Sequence, residues 1–146
     1  MAEADSFTVS EADWPRDEAG IARVRRRVFI EEQAVPEAME WEARDAQCDW
    51  FIAQDAAGAI VGIARLTPDE RIGRMAALPA WRRRGVGAAL LRAALAKARQ
   101  RGLRRVGLHA QVQAMPFYAR FGFQARGPVF DEAGIPHREM ILDLTE

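Results

Sequence analysis

Residues 79–91 have the sequence PAWRRRGVGAALL, in which three arginines lead into a Gly-Val-Gly turn and then into an alanine- and leucine-rich pattern. The run before it is strand-like up to Leu78, so the stretch predicts a strand, a tight turn at 82–87 and a helix that begins near Val86. Main-chain N–H groups left unpaired at such a helix start are aligned with the helix dipole and converge on phosphate oxygens. The stretch therefore predicts a binding site for a phosphate-bearing anion.

Two kinds of residue contribute to this predicted site. Gly85 and Gly87 have no Cβ, so they permit positive φ and let a ligand approach the main chain closely. Arg82, Arg83 and Arg84 add positive charge around the same point. The six residues 82–87 by themselves leave a second interpretation open, in which the turn is only an exposed basic loop before a helix and binds no ligand.

Familiar nucleotide motifs do not account for the turn. A Rossmann fingerprint needs a third glycine where Leu90 stands and an acidic residue about 20 positions on, and a P-loop needs Gly-Lys followed by Ser or Thr. A nucleic-acid site needs aromatic residues between the basic ones, and only Trp81 is available. The second arginine run, RVRRR at 23–27, falls in an amphipathic helix predicted for 16–33 and is interpreted as a solvated face. No nucleic-acid partner is expected.

Composition limits the function further. A chain of 146 residues with 49% hydrophobic and 29% charged residues is typical of a globular protein, so we expect a single domain over residues 1–146. No apolar run approaches the ~20 residues that span a bilayer, and the acidic start does not resemble a secretory signal, so we expect no membrane partner and a cytoplasmic location. One cysteine, Cys48, and two histidines make a poor inventory for a metal site, and none is expected.

Charge and secondary-structure patterns complete the outline. Residues 1–70 hold 16 acidic and 7 basic side chains, whereas the remainder holds 5 and 14, which favours an anionic ligand in the second half. The alternation of helix and strand patterns predicts an α+β domain with a mixed sheet. The predicted elements after the first helix are strands at 49–55, 59–66 and 71–78, a helix ending at Gly102, a strand at 104–111, a short helix between Pro116 and Gly122, and strands at 123–130 and 137–144 around a DEAGIP turn.

The run LPAWRRRGVGAALLRAALAKARQRG, followed by a strand and AMPFYARFGF, resembles the acyl-CoA-binding core of the GNAT superfamily of N-acetyltransferases. The motifs VFIEEQAVPEAMEWEARD, GRMAALP, LHAQ and FDEAGIPHREM extend the resemblance over nearly the whole chain, to the small bacterial ElaA-like branch. The resemblance implies a GNAT fold, an α/β/α sandwich-like domain with a mixed, mostly antiparallel central sheet. It also implies direct transfer of an acetyl group from acetyl-CoA to an amine of a small molecule, peptide or protein, and it is compatible with a homodimer.

The resemblance assigns the donor site residue by residue. In the family, Arg/Gln-x-x-Gly-x-Gly/Ala wraps the pyrophosphate of coenzyme A, and this pattern falls on Arg82, Gly85 and Gly87. The main-chain amides of Arg83, Arg84, Val86 and Ala88 would complete the wrap. The pantetheine arm would lie along Met75, Ala76 and Ala77, with the amide of Ala76 stabilising the thioester oxygen in the transition state.

Catalytic and acceptor residues are less uniquely indicated. Tyr118 falls where the family has a tyrosine near the leaving sulfur, although it can also pack with its phenylalanine neighbours. Many members carry a glutamate on the strand equivalent to 71–78, and this chain has none there, so His109 or His137 is the candidate general base, each with a structural role as the alternative. The loop expected to border the acceptor contains Glu32, Gln33 and Glu40. The missing strand glutamate keeps a non-catalytic acyl-CoA-binding module open as a second function.

Overall fold

The computed structural model describes residues 6–145, which form seven β-strands and four α-helices. The strands are β1 (Phe7–Glu11), β2 (Asp49–Asp55), β3 (Ile60–Leu66), β4 (Ile72–Ala77), β5 (Arg105–Gln111), β6 (Gln124–Glu132) and β7 (Ile135–Asp143). The helices are α1 (Trp14–Arg25), α2 (Glu37–Glu40), α3 (Val86–Gln100) and α4 (Met115–Ala119).

The seven strands form two separate antiparallel sheets. One has the order β1-β2-β3-β4 and the other β5-β7-β6. A parallel bridge between Arg71 and Gly107 joins them at the start of β4. The α+β class and the mixed, mostly antiparallel arrangement predicted from the sequence are confirmed.

Helices cover both faces of the larger sheet. Side chains alternate along β2, so Phe51 and Ala53 belong to the core under α3, whereas Trp50 and Ile52 belong to the core under α1. Each face thus buries its own apolar set, which is the sandwich-like layering predicted from the resemblance. Trp50 is a core residue, with only 2% of its surface exposed.

Helix α3 follows its sequence pattern closely. It begins at Val86, and its apolar stripe is buried against the sheet. The end of the helix is set by Gly102, which has φ 76°, while Leu103 N–H donates to the carbonyl of Ala98 at 3.0 Å. The boundaries and buried face of this helix were therefore readable from glycine placement and periodicity alone.

Two elements differ from the sequence pattern. Strand β1 is not predicted, because it is a short edge strand among acidic residues, and only Phe7 and Val9 pack toward the core. The observed turn between β6 and β7 is shorter than the DEAGIP turn that the sequence predicts. Ala133 and Gly134, with φ of 55° and 79°, form the hairpin tip, so Glu132 remains in β6.

The arginine run at 23–27 is not simply a solvated face. Helix α1 continues as a π-helical segment, Arg26–Glu32, and Arg25 at the junction is only 1% exposed. The sequence prediction is wrong for Arg25, since this side chain points inward between carboxylates. We call the group it joins the ion cluster, which comprises Arg25, Glu40, Glu42, Asp45, Arg65 and Arg74.

Arg25 bridges two carboxylates within the ion cluster. Its Nε donates to Glu40 at 2.7 Å and its Nη1 donates to Asp45 at 2.9 Å. Burial alone raises the pKa of Asp45, but the Glu42 amide and the guanidinium of Arg25 outweigh it, and the pKa ends below its ordinary value. The Asp45 carboxylate therefore stabilises the fold above the unfolded pKa of about 4 and loses this contribution as the pH falls through the folded value.

Replacing Arg25 with methionine is expected to lower the free energy of unfolding by roughly 3–5 kcal/mol, because Glu40 and Asp45 would keep buried charges without this partner. Urea denaturation measures the loss. The matched control is Arg26→Met, since Arg26 is exposed and pairs with exposed Glu37. Equal stability of the two variants would show that the ion cluster does not depend on Arg25.

Candidate active site

A cavity of about 620 Å³ lies where β4 and β5 diverge. Gly107 N–H donates to the carbonyl of Glu70 at 3.0 Å beside the Arg71–Gly107 bridge. After this contact the two strands, which belong to different sheets, separate. The separation opens a cleft between neighbouring parallel strands. Topology, rather than any single motif, therefore creates the cavity.

A bulge in β4 shapes one wall of this cavity. Between the Arg65–Gly73 and Ile63–Ala76 pairs, β4 contains one more residue than β3, and Arg74 has φ 48°. As a result, the adjacent residues Arg74 and Met75 both line the cavity. Bulges of this kind re-aim side chains and interrupt strand pairing next to binding sites.

The sequence-predicted candidates divide into two groups in space. Those that line the cavity are Gln33, Glu40, Met75, His109, Tyr118 and His137. The others lie outside its lining: Glu32 in the π-helical segment, Ala76 and Ala77 on β4, and residues 82–88 in the turn after β4 and the start of α3. Residues from five parts of the chain, namely 33–40, β4, β5, α4 and β7, are thus brought to one cavity.

The turn before α3 has the form expected of an anion cradle. Gly85 is the helix N-cap in the left-handed region, with φ 83°, and no side chain caps the helix start. Ala89 N–H donates to the carbonyl of Gly85, so the N–H groups of Val86, Gly87 and Ala88 precede the first intrahelical bond. A Cβ at Gly85 would have no neighbour within 4 Å. The open surface and free N–H groups fit a phosphate oxygen.

The three arginine side chains of the turn have different surroundings. Arg84 stacks on Trp81 at 4.6 Å, and Arg83 is exposed with φ 63°. Arg82 forms a two-pronged ion pair with Glu32 at 2.6 and 2.7 Å, and its Nε donates to the Ala77 carbonyl. Hydrogen bonding between Arg82 and Glu32 lowers the pKa of the glutamate and raises that of the arginine. The pair links the turn to the π-helical segment.

Tyr118 places a hydroxyl beside β4. It lies on α4, and its O–H donates to Sδ of Met75 at 3.7 Å while its ring packs against Phe117 and Phe123. Burial raises the pKa of Tyr118 to about 12. The ring packs against the core, and the residue also lines the cavity.

Both ring nitrogens of His109 are occupied. Nε2 lies 3.0 Å from Nη1 of Arg71, and because a guanidinium only donates, Nε2 must be the acceptor. Nδ1 therefore carries the proton and donates to Oε1 of Glu132 at 2.9 Å. This arrangement leaves His109 without a free lone pair.

His137 also donates through Nδ1, but its Nε2 differs from that of His109. Its Nδ1 lies 2.7 Å from the carbonyl of Ile135, which only accepts, so Nδ1 carries a proton and, in the neutral imidazole, Nε2 has the lone pair. Nε2 is 3.9 Å from Oε2 of Glu132, beyond hydrogen-bonding distance. The residue is 7% exposed and lines the cavity. His137 is therefore the histidine whose geometry permits it to take up a proton.

The remaining predicted acceptor residues are held by other side chains. Gln33 accepts a hydrogen bond from Gln111 at 3.1 Å, and Glu40 is buried in the ion cluster. Sequence reasoning missed Glu132 and Arg71, which contact His109. The DEAGIP composition predicted a turn at Glu132. The pairing of β6 with β7, which brings Glu132 close to His137, could therefore not be seen from the sequence.

Residues 6–145 are those that the structure describes. No group of three or more His, Cys, Asp or Glu side chains in this range is arranged to hold a metal ion. None of the helices in the same range has both the length and the apolar character required to cross a bilayer.

Comparison with known proteins gives a consistent result. The model of the acetyltransferase (GNAT) domain matches residues 9–144. A UPF0039 protein of Schizosaccharomyces pombe is 36% identical over 129 residues, which cover 83% of this chain and 84% of the relative. A provisionally assigned N-acetyltransferase of Lactobacillus plantarum has a crystal structure with a TM-score of 0.87, at 28% identity, covering 96% of this chain and 99% of that one. Escherichia coli ElaA has the same fold, with a TM-score of 0.82 at 23% identity, covering 93% and 99%.

Proposed function

The chain belongs to the GNAT acetyltransferase family, as its sequence predicts, and on that premise we propose that it transfers an acetyl group from acetyl-CoA to a primary amine. The acceptor is an amine of a small molecule, peptide or protein that attacks the thioester directly. The observation that carries this proposal is the cavity between β4 and β5, where Tyr118, Met75 and His137 line one space.

Donor binding uses main-chain groups. The main-chain N–H groups of residues 83–88 hold the pyrophosphate, and the backbone of Met75, Ala76 and Ala77 lies along the pantetheine arm, with the Ala76 amide toward the thioester oxygen. Acetyl-CoA supplies the thioester whose carbonyl carbon is attacked. Arg82 reaches the pyrophosphate only if it shares or leaves its ion pair with Glu32.

Tyr118 acts on the sulfur side of the reaction. Its pKa of about 12 lies roughly 3.5 units above that of a thiol, so complete proton transfer from the hydroxyl to a thiolate would be uphill by about 5 kcal/mol. A hydrogen bond to the sulfur that strengthens in the transition state avoids this cost. Tyr118 therefore serves as a hydrogen-bond donor to the leaving group.

His137 acts on the amine side. Its Nε2 takes one proton from the acceptor ammonium, and the freed nitrogen lone pair forms the C–N bond as the C–S bond breaks. The second N–H proton ends on the departing sulfur, so the products are an amide and a thiol. His137 then returns its proton to water. His109 cannot perform this step while Arg71 donates to its Nε2.

Replacing His137 with glutamine is expected to lower kcat about 100-fold, because general-base assistance is lost, while acetyl-CoA affinity is kept. His109→Gln is the matched variant and is expected to retain most of kcat at saturating amine, because His109 contacts Glu132 and does not take the proton. Steady-state kinetics on both variants measure the difference. A larger kcat loss in His109→Gln than in His137→Gln would reverse the assignment.

Release of free CoA in the presence of a panel of primary amines tests the function itself. Turnover with at least one amine, dependent on the protein, is the expected result. The non-catalytic alternative predicts tight CoA binding without turnover on any amine, and this outcome would refute the proposed reaction while leaving the cofactor site intact.

A further inference from the structure

Glu132 carries a carboxylate into the cavity between the two histidines. It is the last residue of β6, directly before the hairpin tip. Oε1 accepts the proton of His109 Nδ1 at 2.9 Å, whereas Oε2 lies 3.9 Å from Nε2 of His137. The acyl-transfer steps above do not use this carboxylate.

The two atoms that face each other across this gap are both hydrogen-bond acceptors. Oε2 of Glu132 is a carboxylate oxygen, and Nε2 of His137 has a lone pair because the other ring nitrogen donates to Ile135. At 3.9 Å they share no hydrogen bond. A donor with two or more N–H groups and a positive charge satisfies both atoms, and a primary ammonium ion has three N–H groups.

The charges around Glu132 leave its negative charge available. His109 donates to Oε1 as a neutral imidazole, since Arg71 occupies its Nε2, so the contact orients the carboxylate without neutralising it. The guanidinium of Arg71 also lies 3.6 Å from a carboxylate oxygen of Glu139. Glu139 also lies 3.9 Å from Arg126, so its charge is offset by guanidinium groups, whereas among the described residues Glu132 approaches only the two histidines, which favours a cation in the gap.

Phe130 holds the two histidines in place. Its ring centroid is 4.9 Å from that of His109 and 6.1 Å from that of His137. These ring contacts fix the positions of the two imidazoles relative to each other.

We propose that Glu132 binds the acceptor as a primary alkylammonium ion, which bridges its Oε2 and the Nε2 of His137. His109 and Arg71 are positioning residues that fix the carboxylate. The inference rests on the proposed function and narrows its acceptor class to primary amines that are protonated at neutral pH. Arylamines, which are neutral at that pH, are disfavoured because they lack the charge.

Direct binding of two probes tests this site without turnover. Benzylamine is an ammonium ion at neutral pH and aniline is neutral, and both are titrated into the CoA-bound protein by calorimetry or NMR. Wild-type protein is expected to prefer benzylamine. Glu132→Gln is expected to raise the Kd of benzylamine at least about tenfold, through loss of a charge-assisted hydrogen bond, and to leave aniline unaffected.

Glu139→Gln is the matched control, because this carboxylate also approaches Arg71 but does not line the cavity. It is expected to leave benzylamine binding unchanged. Equal benzylamine affinity in wild-type and Glu132→Gln protein, or equal loss in both variants, would overturn the ammonium site. Turnover is scored separately: binding of benzylamine through Glu132, together with no turnover on any amine of the panel, refutes the proposed function and supports the site.

Discussion

Gly85→Val is expected to weaken CoA binding by roughly 100-fold, equivalent to about 2.7 kcal/mol. Gly85 has φ 83°, which a β-branched residue adopts only under strain, and relaxation of that strain would move the N–H groups at the start of α3. Isothermal titration with CoA measures the loss. The proposed cofactor site should be sensitive to Gly85, because in the proposal main-chain N–H groups bind the pyrophosphate.

Gly58 offers a matched control for backbone strain. It has φ 89° in the turn between β2 and β3, and a Cβ there would also meet no atom within 4 Å. Gly58→Val and Gly85→Val should therefore destabilise the fold similarly, and only the latter should lose CoA binding. Arg83→Ala and Arg84→Ala should each weaken CoA binding less than tenfold. Stronger losses from the arginine variants than from Gly85→Val would show that side-chain charge forms the site.

Tyr118→Phe is expected to lower kcat about 100-fold while leaving CoA affinity and melting temperature nearly unchanged. The hydroxyl donates to Sδ of Met75, a weak acceptor, so its removal costs the fold little, whereas the transition state loses a donor to the sulfur. Met75→Leu is the companion variant, because it removes the same contact and keeps Tyr118. Equal kcat losses in both would indicate a packing role for the tyrosine.

The pH profile supplies a further check on Tyr118. Because burial raises its pKa to about 12, the hydroxyl stays protonated throughout the neutral and mildly alkaline range. The relative rate of Tyr118→Phe and wild type should therefore be constant from neutral pH to about pH 10. A ratio that changed within this interval would mean that the tyrosine ionises there and that its pKa is lower than its surroundings indicate.

Local patterns were sufficient for much of the fold. The boundaries of α3 follow from Gly85, Gly102 and a repeating apolar stripe, because helix starts, helix ends and periodicity depend on neighbours within a few residues. The meander of β2, β3 and β4 follows from alternation and turn residues for the same reason. Strand β1 escaped prediction because a short polar edge strand has too few buried positions to produce a pattern.

In the candidate site, too, local features were predictable from the sequence and contacts between distant residues were not. PAWRRRGVGAALL by itself determined a left-handed glycine turn and a helix start, since both are local features, and from these it predicts an anion cradle made of main-chain groups. Only the tertiary structure decided which histidine has a free lone pair, that Arg25 is buried, and that Arg82 pairs with Glu32. Each of these depends on partners distant in the chain: Arg71 and Glu132 for His109, and Glu40 and Asp45 for Arg25. Charge state and hydrogen-bond direction are set by whichever groups packing brings within about 3 Å, and that choice is made by the topology of the two sheets.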